Sequence, residues 1–471
     1  MREVVLEPAV RQLELLRTGG ISVTQLAEAH IAQIERLNPV LNALVDFDAD
    51  RARAWALQLE STPIAERGPL HGLPITVKSS IAVAGYRCEI GSTINAGNIP
   101  SEDAETVRRL RNAGALILGT TNCPELLMAY ETTNLLHGRT LNPWDLERSP
   151  GGSSGGEAAA IAAGLSAAGL GSDSGGSVRQ PAHFTGICAL KPTPGRMPSR
   201  GHLPPCVGPF STVGAIGPMA RTVADLSFLF QTIGGQDLLE PGSPPIAYAE
   251  PALSDLRQLT IGVFEDDGLV PVTPETRAAV QAAAAALREA GFRVEEIRPR
   301  SLEALRQLWT KLFVQCGAMF YEPTIRSRHH ELSPIFLEFL EIAKSLPPLS
   351  PAQLLDVWAQ LDLLRAETLA ELSSHPILLC PVASIPAFRH GERSWLVENQ
   401  QVAYLDAVRH TQWFNVLAAP AVVLPVGRSP EGLPIGVQVV AQPFRDEIAL
   451  GVAAILEKSF GYRPPPMALS S

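Results

Sequence analysis

The 471-residue chain is poor in charge and in the residues that most simply announce a partner. Only 18% of it is Asp, Glu, Lys or Arg, and 48 acidic residues against 38 basic ones give a formal net charge of −10. No basic stripe forms, which argues against nucleic acid; the acidity speaks of solubility, not of substrate charge. Cysteine is scarce. Cys88, Cys123, Cys188, Cys206, Cys316 and Cys380 are scattered without C-x-x-C or metal-ligand spacing, and read as reduced core residues of a cytoplasmic protein. No apolar run reaches membrane-spanning length, and Met1 to Pro8 has no signal-peptide apolar region, so no transmembrane segment is expected. Internal repeats are also missing. At 46% hydrophobic the chain can bury a large core, and length alone allows either two or three domains or one large layered domain.

What the sequence does have is concentrated between Ser149 and Arg179. Two glycine-rich turns, Gly151-Gly152-Ser153-Ser154-Gly155-Gly156 and Gly171-Ser172-Asp173-Ser174-Gly175-Gly176-Ser177, flank an alanine-rich run that predicts a short buried helix. Glycine lets the backbone adopt conformations closed to other residues and lets a ligand approach it closely, at an entropic cost that points to a reaction centre. Three uses of the serines compete. Phosphate cradling is disfavoured because neither turn continues into Gly-Lys-Ser/Thr. A nucleophile elbow fits G-x-S-x-G at Ser153 and Ser154 but needs a preceding strand, and Leu141 to Pro150 reads as loop. The third use is a serine nucleophile activated by lysine.

The GGSSGG block, the GSDSGGSVRQPA block and the upstream Gly72-Leu73-Pro74-Ile75-Thr76-Val77-Lys78 together resemble the amidase signature family, and the similarity runs from the first helix to the last. The resemblance implies a Ser-cisSer-Lys triad with Ser177 as nucleophile, Ser153 as the bridging serine after a cis peptide bond, and Lys78 as base. It also implies an α/β fold, a large mixed central sheet covered by helices on both faces, a serine acyl-enzyme and no metal or organic cofactor. The residue types suit the chemistry. A lysine serves as base only when burial and neighbouring dipoles lower its pKa, and Lys78 ends an apolar run. A serine hydroxyl is donor and acceptor at once, so Ser153 can relay a proton between Ser177 and Lys78. Backbone N–H groups of Ser174, Gly175, Gly176 and Ser177 are the expected oxyanion donors.

The other residues near these motifs are expected to do structural work. Asp173 and Arg179 are read as an ion pair that fixes the nucleophile turn, Ser154 as a turn hydrogen-bonder, His183 as packing or pocket wall, and Lys191 as structural. Ser79 departs from the family, where the residue after the lysine is often acidic, so local support of Lys78 is expected to differ. Met128 and Tyr130 are candidate substrate-binding residues, with ordinary core packing as the alternative.

Along the chain the pattern predicts N-terminal helices over 1–60, with Gly19-Gly20 as a break, a capping box at Ser22 to Gln25, and His30 on the polar edge of an apolar stripe. A signature core follows over 65–235, with strands at Leu73–Val77, Ala115–Leu118 and Ala167–Gly171 alternating with helices. A proline-rich connector, 236–255, leads to a second α/β part, 256–471, within one amidase domain. Strands are expected at Leu259–Phe264, Phe292–Ile297 and Ile377–Cys380, and the resemblance implies closing strands at Asn415–Pro425 and Gly432–Gln438, with Gln438 read as a core-positioning residue. The helical segment 302–372 carries Trp309, Phe313, Phe320, Tyr321, Phe336 and Phe339; such aromatics are usually core, while the resemblance implies that this segment shapes the substrate pocket.

The expected activity is hydrolysis of a carboxylic amide of a small molecule with an apolar or aryl part, with esters and carbamates as further substrates and a homodimer allowed. Two rivals remain: the amidase subunit of a glutamine-dependent amidotransferase, and a non-catalytic binding protein on the same fold.

Overall fold

The glycine break and the capping box produce the helices that their spacing predicts. In the computed structural model, which describes residues 3–469, helix Ala9–Thr18 ends at a left-handed Gly19. Helix Val23–Leu41 follows, opened by Ser22 Oγ accepting from Gln25 N–H (3.1 Å) while Gln25 Oε1 accepts from Ser22 N–H (3.0 Å). His30 corrects the expectation. It is fully buried, its Nδ1 3.0 Å from the Gly164 carbonyl and its Nε2 3.1 Å from Gln12 Oε1, because the helix packs against the end of another rather than against solvent.

Fifteen strands follow among the described residues: β1 Leu44–Phe47, β2 Pro74–Lys78, β3 Leu116–Thr121, β4 Thr133–Asn134, β5 Gly138–Arg139, β6 Ala168–Asp173, β7 Cys188–Lys191, β8 Ala215–Ala220, β9 Thr260–Val263, β10 Arg293–Glu296, β11 Ile377–Pro381, β12 Ser394–Val397, β13 Gln400–Ala403, β14 Ala421–Arg428 and β15 Pro434–Ala441. Eleven of them form one mixed sheet in the order β1-β3-β2-β6-β8-β7-β14-β15-β11-β9-β10. Pairs β2–β3, β2–β6, β9–β10 and β9–β11 are parallel and the rest antiparallel. The chain segments on either side of the proline-rich connector therefore share one sheet, joined where β14 pairs with β7. Side chains alternate across it. Val422 and Leu424 face helices Val223–Ile233, Pro274–Glu289 and Asp446–Glu457, while Val423 faces helices Gly155–Ala162 and Arg179–Thr185. Helices thus cover both faces.

The alanine-rich helix Gly155–Ala162 is buried at every residue, and small side chains are what let it lie under the sheet. A Cβ on Gly156 would stand 2.5 Å from the backbone N and O of Asn122, so only glycine fits there. Farther on, Leu302–Trp309 runs through a π-helical turn, Thr310–Gln315, into Cys316–Ile325, and helices Pro334–Ser345 and Pro351–Glu371 complete the aromatic segment. Asn415 is not in a strand as expected. It sits in helix Arg409–Val416, fully buried, and β14 begins only at Ala421. Among the described residues no helix is long and apolar enough to cross a membrane.

Candidate active site

Parallel strands β2 and β6 are neighbours, so the ends of both and the turn after each fall at one place. Lys78 is the last residue of β2 and is completely buried. Its Nζ donates to Ser153 Oγ at 2.7 Å and to Ser172 Oγ at 3.1 Å. Burial pushes its pKa down to about 8, opposed by the charges that Cys123, Asp173 and Glu157 can carry. The peptide bond between Gly152 and Ser153 is cis. Ser177, 9% exposed against 1% for Ser153, is the hydroxyl that reaches open space; it has no hydrogen-bond partner among the described residues, while its carbonyl accepts from Ser154 N–H (3.1 Å).

The nucleophile turn is pinned from both sides. Asp173 accepts from the N–H groups of Gly176 (2.8 Å) and Val178 (3.1 Å), from Arg179 Nη2 (2.9 Å) and from Asn415 Nδ2 (3.0 Å). Burial opposes its ionisation, and the Arg179 guanidinium overcomes that to hold the carboxyl well below the usual range. Arg179 in turn donates to the Thr411 carbonyl (2.9 Å) and Gln438 Oε1 (3.3 Å), and Gln438 Nε2 to the carbonyls of Pro381 and His410. On the other side Trp309 Nε1 donates to the Ser174 carbonyl (2.9 Å), and Tyr130 OH (2.9 Å) and Thr411 Oγ1 (2.7 Å) to that of Gly175. A trans peptide holds its N–H opposite its C=O, so these bonds fix where the Gly175 and Gly176 amides point. Gly176 has φ +123°, and a Cβ there would lie 2.3 Å from Thr411 Oγ1.

One expected oxyanion donor is already committed. The Gly176 N–H is spent on Asp173, whereas the amides of Ser174, Gly175 and Ser177 have no acceptor among the described residues. Asp173 and Arg179 form the expected ion pair, Ser154 Oγ lies 3.3 Å from the Ser172 carbonyl, and His183 is held between the Ile385 carbonyl and the Gly436 N–H. Lys191 is buried and donates to the Pro192 carbonyl at 2.9 Å. Ser79 Oγ meets Cys123 Sγ at 3.3 Å. Sequence reasoning missed Ser172, which stands in the second motif one residue before Asp173 and shares Lys78. It also missed Glu157, buried beneath the lysine and accepting from Thr76 Oγ1 (2.5 Å) and Thr121 Oγ1 (2.8 Å). Burial pushes its carboxyl up to about 8. No local pattern marks Thr411 or the bond from Trp309 to the nucleophile turn; both residues arrive from distant helices.

Two cavities meet at Ser177, sharing Leu127, Met128 and Phe313. The larger runs past Gly175 and Tyr130 to Trp309, Phe339 and Tyr404. The smaller is lined by Ser153, Ser172, His202, Cys206, Phe210 and Tyr321. Met128 lines both and Tyr130 the larger, and both side chains are buried. Neither wall holds an arginine or lysine, and the one carboxylate, Glu338, is paired with Arg393 at 2.8 Å.

Comparison with known proteins agrees with this geometry. The chain is 32% identical over 461 residues to the indoleacetamide hydrolase of Bradyrhizobium diazoefficiens, covering 96% of this chain and 86% of that one. It is 33% identical to one subunit of the glutamyl-tRNA(Gln) amidotransferase of a Roseiflexus species, covering 93% of each. The solved structure of 6-aminohexanoate cyclic dimer hydrolase complexed with substrate superposes with a TM-score of 0.86 at 29% identity, covering 98% of this chain and 99% of that one. With a model of the Amidase family matching residues 25–450, and the glycine-serine turns closing on a buried lysine, the chain belongs to the amidase family.

Proposed function

We propose that the protein hydrolyses a carboxylic amide through an acyl-enzyme on Ser177, with Lys78 as base and Ser153 as relay. The observation that carries this is the 2.7 Å contact from the buried Lys78 Nζ to Ser153 Oγ beside the otherwise unengaged Ser177 hydroxyl. Neutral Lys78 takes the Ser153 proton as Ser153 takes that of Ser177. Ser177 Oγ bonds to the carbonyl carbon, and the oxyanion is met by the amides of Ser174, Gly175 and Ser177. The protonated lysine then returns its proton through Ser153 to the nitrogen, the C–N bond breaks, and the amine leaves. Water repeats the sequence on the ester to release the acid. Esters and carbamates present the same carbonyl.

The apolar walls favour a small neutral substrate with an apolar or aryl part. The amidotransferase reading, which the Roseiflexus relative suggests, asks the site to hold glutamine, whose α-carboxylate finds no cation on either wall. Intact-mass spectrometry with a fluorophosphonate is the test. One adduct on the wild type, absent in Ser177→Ala, supports the reading; no adduct, or an adduct retained in Ser177→Ala, overturns it. Glutaminase activity appearing only with a co-purified partner would establish the alternative.

A further inference from the structure

The fold buries one carboxylate completely on the side of the sheet where Lys78 points, that of Glu157. Side chains alternate along β2: Ile75 and Val77 join the apolar core on one face, which leaves Thr76 and Lys78 on the other. On β3, Thr121 stands opposite Lys78 in the register and shares its face. Thr76 Oγ1 reaches Glu157 Oε1 at 2.5 Å and Thr121 Oγ1 reaches Oε2 at 2.8 Å, so the two residues that flank the lysine hold the carboxylate beside it. β6 leaves room for it, since a Cβ on Gly169 would collide with Glu157 Oε1. A glutamate in the first turn of a helix is favoured by the helix dipole, but a solvent-facing one would serve that purpose, and burying it is costly. We propose that Glu157 is a positioning residue for the reaction, its carboxylate stabilising the ammonium that Lys78 becomes when it takes the proton passed from Ser177 through Ser153, an inference that rests on the hydrolase reading above.

The other ionisable groups that bear on Lys78 are committed or uncharged. Asp173 is paired with Arg179 at 2.9 Å and accepts from two backbone N–H groups. Burial pushes the Cys123 thiol up, so it is uncharged at neutral pH, and pushes the His202 imidazole down to about 4, so it is neutral too. Glu157 has only hydroxyls as side-chain partners, and they can follow its charge. Thr76 Oγ1 also lies 2.9 Å from Ser166 Oγ, so it donates to an ionised Glu157 while accepting from Ser166, or accepts from a protonated Glu157 while donating to Ser166. Burial lifts the carboxyl to about 8, opposed by the two threonine hydroxyls and by the charge on Lys78. Ammonium and carboxylate therefore support each other. The negative charge raises the proton affinity of Lys78; without it the lysine turns neutral at lower pH and is the weaker base.

The test is the rate of fluorophosphonate labelling against pH, from 5 to 10, in the wild type, Glu157→Gln, Thr121→Val and Thr121→Ser. Glu157→Gln should move the acid limb to lower pH by about one unit and lower the plateau by about tenfold. Thr121→Val, which takes a donor from the ionised carboxylate, should move the limb the same way by less, and Thr121→Ser, which keeps the hydroxyl, should return it to the wild-type position. A packing defect would lower the plateau and leave the limb in place, so a Glu157→Gln limb that coincides with that of the wild type, or moves to higher pH, overturns the proposal. If Glu157→Gln does not fold, the threonine pair decides: a limb shifted in Thr121→Val alone supports the proposal, and limbs that coincide, or shift equally, overturn it. The wild type separates the two readings. An adduct lost in Ser177→Ala together with coincident limbs sinks only the role of Glu157, whereas no adduct, or one retained in Ser177→Ala, sinks the hydrolase reading itself.

Discussion

The floor of the site and its roof are built on opposite terms. The floor, from Lys78 through Ser153 to Ser177, is made of serine, threonine, glycine and one ion pair, held by a network of named hydrogen bonds. The roof, supplied by 302–346 and Phe210, is made of rings that touch one another: Trp309 stacks on Phe313 at 4.9 Å, and Phe210 meets Phe320 edge-on at 5.3 Å. A proton relay tolerates no displacement, while an apolar wall needs only shape and volume. Floor substitutions should therefore lower turnover of every substrate, and roof substitutions should change which substrate is preferred.

The largest effect belongs to the nucleophile. Ser177→Ala should cut kcat on the order of 10⁴-fold or more for any amide, with folding unchanged by circular dichroism. Lys78→Ala should cost about 10²–10⁴-fold. Because the charged lysine cannot act as base, wild-type kcat/KM should rise with pH through about 8, a limb that the alanine variant loses. Asp173→Ala leaves the Arg179 guanidinium buried without its carboxylate and should destabilise the protein by about 3–5 kcal/mol in a denaturant titration. Trp309→Phe straddles the boundary between floor and roof. It keeps the stacking surface and loses the bond to the Ser174 carbonyl, worth about 1 kcal/mol, so kcat should fall about fivefold with substrate preference unchanged. Glu338→Gln at the half-exposed Arg393 pair should cost less than ~1 kcal/mol and leave kcat alone. A substitution at Phe210, Phe313 or Phe339, which make no hydrogen bond to the floor, that lowered all substrates equally would break the comparison.

The same division decides what can be read from the sequence. The floor is local and its residue types are fixed by chemistry, so the two turns, Lys78 and the flanking ion pair are legible. So are strand β2 and the capping box at Ser22. The roof residues are visible as aromatics, but their meeting with Met128 and Ser177 depends on how helices far apart in the chain pack. Thr411 and Asn415 carry no motif; a helix delivers them, and Asn415 reads as strand in the sequence because apolar residues continue on either side of it. β8 is hidden because Gly217 and Pro218 look like breakers, although Pro218 pairs with Leu170 inside the sheet. His30 reads as an edge residue because its partners, Gln12 and Gly164, are brought there only by tertiary packing.

The central claim is that a neutral, buried Lys78 drives Ser177 through Ser153. The most direct test is the rate of fluorophosphonate adduct formation, followed by intact mass from pH 5 to 10, in the wild type and Lys78→Ala. The account predicts a wild-type rate that climbs with an apparent pKa near 8 and a slow, nearly pH-independent rate in the variant. Parallel pH curves of equal height in the two proteins would contradict it.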